Sequence, residues 1–297
     1  MFPLSLRPIL TACLLVPTTC LTAADAQAPA HVTIHEALVY ATLPDGKGLR
    51  LDLTIPRRIE KPPVVMFIHG GGWHSGSRKG NRLAWLTEHG YATASISYRL
   101  SDEAKFPAQI HDCKAAARWL RDPANQEKYG YDATKLVVAG TSAGGHLSAL
   151  MGTSGGVTEL EGDFGSLEQT SRVDGVIDYY GPSDFILRSK NQPAKTEDPK
   201  GSVTLLLGGP VSANLELAAL ASPVTHVSKD DPPLLIFHGD ADKTVYLDQS
   251  ERLLSAYHEL GLDATLQVVK GGGHGFKETP PNEHEQVLAF LKRVLGR

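Results

Sequence analysis

Five consecutive apolar residues, Val64-Val65-Met66-Phe67-Ile68, run directly into His69-Gly70-Gly71-Gly72-Trp73. An unbroken apolar run of this length suits a strand buried on both faces, and such a strand needs helices above and below its sheet. The glycines behind it let the backbone turn sharply at the strand end and come close to whatever lies there. The rest of the chain repeats this theme. Strands are expected over 32–41 and 49–55, joined by the turn-forming Pro44-Asp45-Gly46, and over 92–98, 135–139, 173–180, 234–238 and 265–269. Helices are expected over 81–89, where Gly90 ends the pattern, and over 108–120, 143–151, 248–260 and 283–295. The 108–120 segment carries an apolar stripe of Ile110, Cys113, Ala117 and Leu120, and the last helix one of Val287, Leu288, Leu291 and Leu295. Strands alternating with helices predict an α/β fold with a mostly parallel sheet covered on both sides.

The alternation fails between Pro182 and Pro233. Roughly fifty residues with scattered Pro, Gly and Lys are too many for a plain connection, and such lengths often serve a function. Residues 183–232 are expected to form a small cap insertion over the site, partly helical near 215–220. No linker divides the remainder, so residues 27–297 read as one domain.

Composition excludes several function classes. A net charge of −4 with no Lys/Arg block argues against nucleic acid or an anionic membrane surface as partner. Residues 1–26 read as a signal peptide: Arg7, an apolar stretch over 9–16, then the small-x-small Ala24-Asp25-Ala26. That reading places the protein in the periplasm or outside the cell. The apolar stretch is too short to span a bilayer, and no other run is long enough. Cys13 and Cys20 fall within the leader, leaving Cys113 as a small buried helix residue and no internal disulfide. No His, Cys or carboxylate pair has metal-ligand spacing in a supporting context, so neither metal nor cofactor is expected.

Chemistry concentrates in three loops that follow buried strands. Gly140-Thr141-Ser142-Ala143-Gly144 matches G-x-S-x-G between a strand and a helix, the context of a nucleophile elbow. His69 to Trp73 offers bare amides for an oxyanion, with Gly71 and Gly72 as donors beside the N–H of Ala143 and His69 bracing the loop. Further on, Gly239-Asp240-Ala241-Asp242 and Gly271-Gly272-Gly273-His274-Gly275-Phe276 leave two later strands. A serine hydroxyl needs an imidazole to take its proton, and the imidazole needs a carboxylate to fix its tautomer. Ser142, His274 and Asp242 fill these roles. Asp240 is the competing acid, but its place next to the strand end better suits it to tightening the loop. His146 and His238 are expected to be packing residues.

The His69–Trp73 run, the elbow through His146 and the phrase His238-Gly239-Asp240-Ala241-Asp242 resemble the α/β-hydrolase esterase/lipase superfamily, most closely its bacterial branch of carbohydrate acetyl esterases and feruloyl esterases. Tyr98-Arg99-Leu100-Ser101, Phe106-Pro107-Ala108-Gln109, Tyr180-Gly181-Pro182-Ser183-Asp184 and Ala221-Ser222-Pro223 fit the same branch. The resemblance implies an eight-stranded, mostly parallel sheet and the catalytic set Ser142, Asp242 and His274. It also implies a small-molecule or carbohydrate ester as substrate, with Trp73 and Tyr246 as substrate contacts. Tyr246 is a departure, since the family often has Val-Pro where this chain has Val245-Tyr246. A prolyl-oligopeptidase-like peptidase, an arylformamidase-like amide hydrolase and a non-catalytic binding module remain as alternatives.

Overall fold

Eight strands pair into a sheet among the described residues: β1 (Val32–Thr42), β2 (Gly48–Pro56), β3 (Pro63–Ile68), β4 (Ala92–Ile96), β5 (Asp132–Thr141), β6 (Gly175–Tyr179), β7 (Leu234–Gly239) and β8 (Ala264–Val269). The computed structural model describes Met1, residues 31–276 and residues 280–296. The signal-peptide reading of 1–26, with Cys13 and Cys20, therefore lies outside the described residues apart from Met1. The strand order is β1-β2-β4-β3-β5-β6-β7-β8. β1–β2 and β2–β4 pair antiparallel, and every pairing from β4 through β8 is parallel. This is the eight-stranded, mostly parallel arrangement expected from the sequence. Its first hairpin closes at the predicted turn, where Gly46 adopts φ +85° and donates to the Leu43 carbonyl.

The two faces of β3 show why its run is apolar throughout. Val64, Met66 and Ile68 pack into one core and Val65 and Phe67 into the other, each at most 1% exposed. The first core is covered by α1 (Ala108–Arg121), α3 (Ala143–Thr153) and α8 (Asp248–Glu259), and the second by α9 (Glu283–Leu295). The predicted stripe of α1 is fully buried, Cys113 included. In α9, Val287, Leu291 and Leu295 are buried, with Leu288 half-buried beside them.

Two expectations need correction. The 81–89 segment is only a 3-10 turn, Ala84–His89. Asn81 accepts the Leu83 N–H through its side chain at 2.9 Å, a local turn that competes with helix, and Gly90 ends the segment at φ +88°. Conversely, α2 (Pro123–Tyr129) was not expected, although its signals are written in the chain. Asp122 caps the Ala124 N–H, Pro123 sits in the first turn, and Gly130 closes the helix at φ +74°.

The 183–232 stretch is more ordered than its composition implied. It contains α4 (Phe185–Asn191), α5 (Pro193–Thr196), α6 (Ser202–Leu207) and α7 (Leu215–Leu220), with 3-10 turns at Val211–Ala213 and Pro223–His226. Phe185, Val203, Leu206, Val211 and Ala218 anchor these pieces in the first core, each with no exposed area.

Asp178, inside β6, is fully buried, and the Gly181 N–H donates to it at 2.8 Å. Burial pushes its carboxyl up to about 6, against the weaker opposing effects of that hydrogen bond and of His238. A raised acid favours the protonated folded state. Its contribution to stability is therefore complete below the ordinary value of 3.8 and is lost as pH rises through about 6. Asp178→Asn keeps the acceptor for Gly181 without the charge. Relative to the parent, the variant should gain on the order of 3 kcal/mol between acidic and neutral pH. Thermal unfolding of both proteins at pH 4 and 7.5 would show it, and an unchanged difference would refute it.

Candidate active site

Ser142 sits between the end of β5 and the first turn of α3 with φ +53° and ψ −114°, a conformation L-residues rarely adopt. The two flanking glycines make the turn feasible. A Cβ on Gly140 would lie 2.2 Å from the Gly144 carbonyl oxygen, and one on Gly144 would lie 2.0 Å from that of Ile68. The elbow is thus pressed against the end of β3, so the His69–Trp73 loop runs alongside the serine. The Ser142 N–H donates to Tyr179 at 2.8 Å, tying the elbow to β6 as well.

The loop after β3 is held in an unusual path. Gly71, Gly72 and Trp73 all have positive φ, at +110°, +59° and +61°. A Cβ on Gly71 would fall 2.2 Å from the Ser75 carbonyl oxygen, and the N–H groups of His74 and Ser75 both donate to the Gly71 carbonyl. His69 braces the loop as expected: its ring is buried, stacks on Tyr98 at 4.4 Å and donates from Nδ1 to the Gly70 carbonyl at 2.7 Å.

The loop after β7 presents Asp242 with its carboxylate fully buried. The Thr244 and Val245 N–H groups donate to Oδ1 at 2.7 and 3.0 Å. His274 Nδ1 lies 2.7 Å from Oδ2, and His274 Nε2 lies 2.9 Å from Ser142 Oγ. Burial works against the charge on Asp242. Hydrogen bonds from His238 and His274, the attraction of the His274 ring and the Val245 amide outweigh it, holding the carboxyl well below the usual range. With Nδ1–H donating to that carboxylate, Nε2 is left to accept the serine proton. Tyr180, itself at φ +50°, packs edge-on against the His274 ring at 4.8 Å. Asp240 instead accepts the Gly271 N–H at 2.6 Å, tightening the loop pair as the sequence implied.

Ser142 and His274 open into a cavity of about 420 Å³. Its walls include Gly70–Trp73, Thr141, Tyr180 and Val245, and the insertion supplies Arg188, Lys195 and Ser202. The volume falls in the range of small-molecule sites, roughly 300–1,000 Å³. Among the described residues no group of three or more His, Cys, Asp or Glu could hold a metal ion, and no helix is long and apolar enough to cross a membrane.

The model of the BD-FAE family matches residues 51–257, which include the serine elbow and the acid loop. The chain belongs to the BD-FAE family. This BD-FAE chain is 32% identical over 255 residues to "Esterase LipC" of Mycobacterium tuberculosis, covering 82% of the chain and 62% of LipC. It is 30% identical over 256 residues to "Esterase LipQ" of the same organism, covering 84% of the chain and 58% of LipQ. The chain thus spans about 60% of the length of these curated relatives. A solved structure titled "Truncated form of carbohydrate esterase from gut microbiota" superposes with a TM-score of 0.79 at 32% identity, covering 89% of this chain and 97% of that one. The fold is that of the α/β-hydrolases.

Two expected substrate contacts are placed differently. Trp73 belongs to the cavity wall, but its indole is only 1% exposed and packs edge-on against His146 and Phe185. Its Nε1–H donates to Nδ1 of His146 at 3.2 Å, and His146 Nε2 donates to the Ala221 carbonyl at 2.7 Å. Burial pushes the His146 ring down to about 4, consistent with a neutral ring in this chain of bonds. The indole therefore ties the glycine loop to α3 and the insertion. Tyr246 is 40% exposed and stands outside the described cavity lining, because the Asp242 loop turns Thr244 and Val245 inward instead. His238, as expected, is packed: Nε2 donates to the Val245 carbonyl at 2.9 Å, and Nδ1 accepts from Ser250 at 2.6 Å. Among the described lining residues, Arg188, Lys195 and Ser202 of the insertion were not anticipated from the sequence, and Arg188 is the most deeply buried of the three.

Because the Ile68 carbonyl occupies the only space for a side chain at 144, Gly144→Ala should force α3 away from β3. The expected cost is about 3 kcal/mol or more, seen as a fall in melting temperature. An undiminished melting temperature would show that the elbow has room the geometry denies it.

Proposed function

We propose that the chain is a carboxylic ester hydrolase that works through a serine acyl-enzyme and acts on acetyl or feruloyl esters of carbohydrates, in the periplasm or outside the cell. The observation that carries the reading is the unbroken hydrogen-bond chain from Asp242 through His274 to Ser142 at the mouth of the cavity. The relatives named as esterases and the similar carbohydrate esterase support the chemistry and the substrate class.

In this reading Ser142 Oγ attacks the ester carbonyl carbon while its proton passes to His274 Nε2. The carbonyl electrons move onto the oxygen, which takes hydrogen bonds from the amides of Gly71, Gly72 and Ala143. When the intermediate collapses, the bond to the alcohol oxygen breaks and Nε2 returns the proton to that leaving group. Water then repeats the sequence on the acyl-serine, releasing the acid and restoring the hydroxyl. Asp242 stays ionised throughout and stabilises the imidazolium formed in each half.

Ser142→Ala should abolish labelling by a fluorophosphonate probe and lower kcat on 4-nitrophenyl acetate by several orders of magnitude, with the melting curve unchanged. Near-parental turnover would overturn the assignment, and methyl ferulate and acetylated xylan assayed beside it would test the substrate class. Asp242→Asn should cost roughly 10⁴-fold in kcat. The Thr244 and Val245 amides would hold the new amide oxygen, turning its NH₂ toward His274 and forcing the tautomer that cannot accept the serine proton. A loss of less than tenfold would remove Asp242 from the machinery.

A further inference from the structure

The cavity walls are unequal in charge. None of the described residues lining the cavity is Asp or Glu, whereas Arg188 and Lys195 both contribute to it. Both come from the insertion, one from α4 and the other from α5. Arg188 is 98% buried, since only 2% of its surface is exposed. Its Nε donates to Gln192 Oε1 at 3.2 Å and its Nη2 to the Thr244 carbonyl at 2.8 Å, both neutral acceptors. Asp242 and Asp248 attract it through space, but neither forms an ion pair with it. Asp242 is already engaged by His274 and two amides, and Asp248 accepts from Asn191. Lys195 is half-exposed, and its amine has no partner among the described residues.

A buried guanidinium that meets only neutral acceptors is expensive unless an anion joins it. A cleft carrying one sign of charge between low-dielectric walls also draws in ligands of the opposite sign. We infer that the site takes esters bearing a second, free carboxylate, which Arg188 and Lys195 hold while the ester lies at Ser142. This rests on the hydrolase reading above and narrows its substrate class to anionic esters. Two chemistries present that carboxylate: a half-ester of a dicarboxylic acid, where it lies on the acyl side, and an acylated uronate sugar, where it lies on the alcohol side.

Matched pairs distinguish these sources. One pair is 4-nitrophenyl hydrogen glutarate against 4-nitrophenyl pentanoate, and the other is acetylated methyl glucuronoside against acetylated methyl glucoside. The anionic member of one pair should have a kcat/KM at least roughly tenfold higher, mainly through KM, the size of one charge-assisted hydrogen bond. That preference should fall in Arg188→Gln and Lys195→Gln, and added salt should weaken it. Because Arg188 is buried and its variant is at risk of misfolding, Lys195→Gln at its half-exposed position keeps the test open. Equal or reversed preference in both pairs, with 4-nitrophenyl acetate still hydrolysed, overturns this inference and leaves the hydrolase reading standing. A folded protein that hydrolyses no member of either pair and no 4-nitrophenyl acetate overturns both.

Discussion

The contact between Gly144 and the end of β3 governs the site. A hydrogen is all that fits between the α3 backbone and the Ile68 carbonyl, so the first turn of α3 rests directly on the strand that launches the glycine loop. That contact brings two segments some seventy residues apart side by side: a serine at positive φ and a loop with three successive positive-φ residues. Backbone conformations of this kind cost about 1–3 kcal/mol each at non-glycine positions and survive only where their surroundings enforce them. Here the enforcement is visible, because the second core and the neighbouring strands β3 and β6 hold the elbow from behind.

Electrostatics then sets the roles of groups that the backbone has merely gathered. Asp242 and Asp178 are both deeply buried carboxyls on neighbouring strand ends, yet they are pushed in opposite directions. Asp178 meets a single amide donor and burial prevails. Asp242 meets the His238 and His274 rings and two amides, and the bonds prevail. The donors facing each carboxylate decide how readily it ionises, and a carboxylate ionised across the working pH range is what a neighbouring imidazole needs to gain and lose a proton.

Much of this was legible in the chain because it depends on local pattern. The run 64–68, the G-x-S-x-G between strand and helix, and the two late glycine-rich loops each follow from residues adjacent in sequence, and the parallel fold gathers their strand ends at one edge. The same local rules could have revealed α2 from Asp122, Pro123 and Gly130. Arg188 had no such signal. Its place in the cavity depends on how α4 lies against the Thr244 carbonyl, a contact across fifty-six residues. Trp73 does line the cavity, but it is almost wholly buried. The family resemblance made it a substrate contact, whereas a residue at φ +61° with its indole turned inward onto His146 is a link that no local pattern could show.

The indole also shows how the insertion and the scaffold divide the work. Trp73, His146 and the Ala221 carbonyl form one hydrogen-bonded line from the glycine loop through α3 to the insertion. Arg188 and the Thr244 carbonyl form a second line, from the insertion to the acid loop. The insertion is therefore fastened to both sides of the catalytic face and cannot shift without disturbing the amide loop or the acid. The strand ends carry the groups that would make and break bonds, while the insertion supplies the two cations and the walls around them. A change in which ester is accepted can then arise from side chains on α4 and α5 while the serine, imidazole and carboxylate keep their distances.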